Sequence, residues 1–127
     1  MPDSNWMKPR KLTKSNLPRS AIWRGASGQR YEFQVQEPGA PLKTWPGIYA
    51  FCRWESHGEW TVSFIDTADC FVRRLGGDLG RHRHWVTAQE QGATHIALLP
   101  ILNDPARCAA VLNDLRLHVE EACMQAA

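Results

Sequence analysis

The chain has 127 residues, 15 Lys+Arg against 13 Asp+Glu, and 43% hydrophobic residues; that supports one domain with a real core and leaves little room for two. The same composition excludes collagen-like, low-complexity and wholly disordered chains. No apolar run approaches the roughly 20 residues of a membrane-spanning helix, and the opening MPDSNWMKPRK has no apolar stretch behind its charges. No membrane partner and no secretory signal are expected, and the expected location is the cytoplasm.

The formal charge of +2 hides an asymmetry. Residues 1–20 carry Lys8, Arg10, Lys11, Lys14 and Arg19 against Asp3 alone. They read as a basic N-terminal arm, with residues 21–127 forming a single, nearly neutral domain. An arm of this kind neutralises phosphates in salt-sensitive, sequence-blind contacts; a solvated chain end is the alternative. Cys52, Cys70, Cys108 and Cys123 form no CxxC pair, so reduced thiols packing as small hydrophobes are expected, not a zinc knuckle.

Residues 25–28 (GASG) read as a turn. Tyr31, Phe33 and Val35 alternate with polar residues, the period-2 pattern of a half-buried strand. Three prolines and Gly39 make 37–46 a loop. Residues 47–54 (GIYAFCRW) and 60–65 (WTVSFI) read as two strands joined by a short polar link, a hairpin. The period then changes. Thr67 is placed to cap a helix over 67–75 that Gly76-Gly77 ends. Residues 78–84 (DLGRHRH) read as a polar loop, 85–91 as a short helix, and 94–102 as a buried strand. Asp104-Pro105 is a helix start. The helix it opens carries Cys108, Val111, Leu112, Leu115, Val119 and Ala122 on one stripe. The expected class is α+β, with a mainly antiparallel sheet of three to four strands flanked by helices.

Three segments in fixed order bear on function: Gly47-Ile48-Tyr49 at the start of one strand, Phe64-Ile65-Asp66 at the end of the next, and Arg74 ten residues after Phe64. Tyr31-Glu32-Phe33 precedes them; His84-Trp85 and Gly92-Ala93-Thr94-His95-Ile96 follow. Over roughly residues 28–119 this set resembles the GIY-YIG nuclease superfamily, and in particular one bacterial branch of it. The resemblance implies a phosphodiester-cleaving ancestor in which two tyrosines and an arginine surround the scissile phosphate and a later glutamate binds a divalent metal. Carried over, Tyr49 and Arg74 are retained catalytic positions. Phe64 stands for the second tyrosine, Asp66 for the motif glycine and Leu112 for the glutamate. Leucine offers no oxygen to magnesium or manganese, and Phe64 lacks the phenolic hydroxyl.

These departures favour a degenerate site that binds nucleic acid without efficient cleavage and needs no cofactor. Its expected contacts are Arg73, Arg74, Arg81, His82, Arg83 and His84, with Trp85 as a stacking platform, and Lys8, Arg10, Lys11 and Lys14 from the arm. Two other readings stay open. One is an active endonuclease using Mg or Mn at a relocated site built from Asp66, His82 and His84. The other is a protein-interaction module, favoured by the Trp-rich N-terminal half.

Overall fold

Alternation of inward and outward side chains builds five strands: β1 (Ser20–Arg24), β2 (Arg30–Gln36), β3 (Gly47–Trp54), β4 (Trp60–Ala68) and β5 (His95–Pro100). Among the described residues three α-helices complete the fold, α1 (Phe71–Leu75), α2 (Arg83–Glu90) and α3 (Pro105–Ala126), and the expected loop over 78–84 instead holds a 3-10 turn (Leu79–Arg81) and the start of α2. The computed structural model describes residues 17–126, with side chains through Arg116. The sheet runs in the order β1-β2-β5-β3-β4, and each neighbouring pair is antiparallel. The α+β class holds, with five strands in place of three to four.

The additional strand is β1. Ala21 is buried and Trp23 half-buried, so the inward period is there, but Ile22 points outward at 59% exposure and masks it. A turn over 25–29 returns the chain into β2, with Arg24 opposite Arg30. The last residues of the basic segment join the domain: Leu17 packs against the core and the Arg19 carbonyl accepts from the Val35 amide. Lys8, Arg10, Lys11 and Lys14 lie outside the described residues.

The expected helix start at Thr67 is also corrected. Strand pairing continues through Ile48–Thr67 and Gly47–Ala68, so α1 begins only at Phe71 and is little more than one turn. Its end is as expected, with the Gly76 amide bonded to the Val72 carbonyl at 2.8 Å. At the start of α3 the Asp104 carboxylate accepts from the Arg107 amide at 3.0 Å, capping the helix.

Residues of β3 alternate between two cores. Ile48, Ala50 and Cys52 face α3, where they meet Phe33, Ile65, Val111, Leu112 and Leu115. Tyr49 and Phe51 face the other side, with Phe71 and Leu75 of α1 and Trp85 and Ala88 of α2. Each large apolar side chain so buried contributes about 1.5–3 kcal/mol. Gly47 permits close strand packing, because a Cβ there would collide with the Leu99 carbonyl of β5. Asp114 of α3 ties the β1–β2 hairpin down: it accepts from the Ser27 amide (2.8 Å), the Ser27 hydroxyl (2.7 Å) and the Tyr31 hydroxyl (2.8 Å). Those donors hold its carboxyl below the usual range. Cys52 is buried and its thiol is pushed up to about 12 by desolvation; Cys70 and Cys108 are half-buried thiols. Among the described residues no helix is long and apolar enough to cross a membrane.

Candidate nucleic-acid interface

A register shift sets the geometry of the site. Trp54 opposes Trp60 and Cys52 opposes Val62, but Phe51 opposes Phe64. Ser63 is therefore the additional residue of a β-bulge. Simple alternation would put Phe64 on the same face as Trp60 and Val62. The bulge turns it to the other face, beside Tyr49 (ring centroids 6.1 Å) and Phe51 (5.7 Å).

Tyr49 is fully buried, so it forms the floor beneath the cleft and not part of its surface. Its hydroxyl lies 3.4 Å from His82 Nε2. Burial, with the charge of Asp66 adding to it, pushes its pKa up to about 12, against the opposing pull of Arg74 and Arg116. Tyr49 is therefore a neutral phenol at physiological pH, able to donate a hydrogen bond.

His82 has a second task. It precedes α2, and its Nδ1 accepts from the Trp85 amide at 3.3 Å, so the imidazole is the helix cap. With Nδ1 accepting, the proton of the neutral ring belongs on Nε2 and points at the Tyr49 oxygen. Burial pulls the pKa of His82 below the ordinary histidine range, and His84 and Arg74 add to that effect.

Above this floor a cleft of about 570 Å³ is lined by Asp69, Arg73, Arg74, His82, Arg83 and His84. The structure thus brings together residues from a strand end, a one-turn helix and the start of α2. Arg73 Nη1 is bridged to Asp69 at 2.8 Å. Among the described residues neither Arg74 nor Arg83 pairs with a carboxylate. Arg81 stands outside the lining, 3.5 Å from Asp78. Trp85 is not a stacking platform: it is buried edge-on against Phe51 at 5.1 Å.

No family model, curated protein or solved structure matches this chain.

The position expected to hold a metal-binding glutamate is Leu112, which lies in the α3 core on the opposite face of the sheet from Tyr49. A carboxylate placed there would address apolar side chains and not the cleft. An α3 side chain that comes near Tyr49 without lining the cleft is Arg116, for which the sequence offers no motif. It reaches round edge strand β4 to the Ile65 carbonyl (3.4 Å) and to Asp66 Oδ1 (3.5 Å). Its signal was only its place beside Leu115, at the flank of the buried stripe.

The relocated metal set is not assembled either. Asp66 Oδ1 accepts from the Thr67 amide at 2.8 Å and faces Arg116, while both His82 nitrogens have protein neighbours. Among the described residues no three His, Cys, Asp or Glu side chains gather as metal ligands. Arg116 beside Asp66 and Arg73 beside Asp69, the carboxylate that lines the cleft, each oppose a divalent cation at those oxygens.

His95, expected to be structural, is buried in β5, with Nδ1 2.7 Å from the Thr94 hydroxyl and its ring against Trp60.

Proposed function

We propose that this chain is a GIY-YIG-like protein with a degenerate nuclease site, and that it binds nucleic acid through the cleft over Tyr49 without efficient cleavage. The observation that carries this reading is the gathering of Arg74, Arg83, His82 and His84 around one cleft, with no carboxylate pairing either arginine among the described residues. Guanidinium groups bind phosphate oxygens through paired donors in a fixed fork. Phosphodiester cleavage needs more: an activated water and help for the leaving oxygen. Tyr49, with a pKa of about 12, is a poor candidate for the first task, and the donor set does not suit a divalent cation for the second. Arg116, outside the cleft lining and paired with Asp66, adds positive charge near Tyr49.

The test is binding to short DNA and RNA across a salt titration, alongside plasmid nicking with magnesium, manganese or chelator. Expected results are salt-sensitive binding, no nicking, and a fall of about one in the log–log salt slope for each of Arg74→Ala and Arg83→Ala. Nicking by the parent protein that Arg74→Ala abolishes would favour the endonuclease reading. Absence of binding at low salt would overturn the nucleic-acid reading.

A further inference from the structure

Three aromatic rings stack from the core out to the cleft. Phe51 is fully buried; Phe64 lies over it at 5.7 Å and 25°; the His84 imidazole lies over Phe64 at 4.3 Å and 10°. His84 is the outermost ring and lines the cleft beside Arg74 and Arg83. The inner end is wedged by Trp85 at 72° and Tyr49 at 55° to Phe51, so the stack has a firm base. The bulge at Ser63 is what brings Phe64 into this column. A half-buried imidazole held flat on a phenyl ring and flanked by guanidinium groups presents both elements of nucleotide chemistry, a plane and a phosphate anchor.

We propose that the cleft takes an unpaired nucleotide, its base laid on His84 as the next ring of the stack and its phosphate held by Arg74 and Arg83. This rests on the nucleic-acid reading and narrows it to unpaired ligands. A base inside a duplex has both faces covered by its neighbours and must be unstacked before it can reach His84. A base in a single strand or a free nucleotide offers its π-face directly, whatever its identity. The cleft over His84 is open to solvent and lined by Arg74 and Arg83, so a base and its phosphate can enter it together.

The test compares a dye-labelled 12-nucleotide oligothymidylate with a 12-base-pair duplex at equal salt, and adds dAMP as competitor. The single strand is expected to bind at least about tenfold more tightly than the duplex. Loss of one stacking ring lowers affinity roughly 5- to 150-fold, so His84→Ala should weaken the single strand by about tenfold and leave the duplex unchanged. His84→Phe should retain binding, because it keeps the ring. His84→Lys should not, because it keeps only the charge. Melting curves of the three variants establish that each is folded. Displacement by dAMP points to a free nucleotide as the source, and displacement only by unlabelled oligonucleotide points to a strand; both support the inference. Equal binding of duplex and single strand, or restoration by Lys as full as by Phe, overturns the stacking proposal and leaves the nucleic-acid reading standing. No binding of either oligonucleotide, with dAMP bound directly in equilibrium dialysis, overturns that reading and keeps the stack. No binding of any probe overturns both.

Discussion

His82 joins three parts of the site through one imidazole: it caps α2, meets the Tyr49 hydroxyl and lines the cleft. Its protonation has a structural price. A second ring proton would remove the acceptor from the Trp85 amide and add a positive charge at a helix N-terminus, beside Arg74. Because the folded-state pKa lies below the unfolded value, the unfolded chain takes up this proton first as pH falls. The contribution of His82 is thus fully present above about pH 6.5 and is lost on acidification below it. In His82→Asn the amide oxygen can cap the same helix without titrating. The parent is expected to lose more melting temperature between pH 7 and pH 5 than His82→Asn does. Equal losses in scanning calorimetry would remove His82 as the cause. The offsets along the chain predict Tyr49 and Arg74 in one cleft; Arg74 lines it, whereas Tyr49 is buried and absent from its lining. Arg116 was not legible, because its reach round β4 depends on where α3 crosses the sheet.

Most elements were legible from periodicity and end signals, and the failures share a cause. β1 hides behind the outward Ile22, and the end of β4 reads like a helix start because Thr67 is also a good cap. The bulge matters most. Nothing in WTVSFI marks Ser63 as the additional residue, yet the face on which Phe64 lies depends on it. Deleting Ser63 would restore plain alternation and place either Phe64 or the Trp60–Val62 pair on the wrong face. The expected result is a folded or partly folded protein with a lower melting temperature, by the several degrees that about 1–3 kcal/mol represents in a domain of this size. It should also lose the near-UV circular dichroism signal of the packed aromatic cluster. Ser63→Ala, which keeps the residue count, should behave like the parent. Similar spectra and melts for the deletion and the parent would show that the bulge does not aim Phe64.

At the scale of the molecule, charge and topology make separate demands. The basic segment and the cleft are both phosphate-suited, but Leu17 belongs to the core and Ser20 to β1. A clean truncation therefore removes residues 1–16 and leaves Leu17 in place. It deletes Lys8, Arg10, Lys11 and Lys14 together with Asp3. If the arm contacts phosphates, oligonucleotide affinity should fall and the salt slope should weaken by up to about four. An unchanged slope would confine binding to the domain. The strand order carries a different consequence. β5 sits between β2 and β3, and those two strands do not pair with each other. During synthesis both hairpins, β1–β2 and β3–β4, leave the ribosome before the strand that joins them. Without β5, each hairpin would present an open inner edge. Closure of the sheet therefore requires β5 between β2 and β3, which ties its completion to a strand in the last third of the sequence.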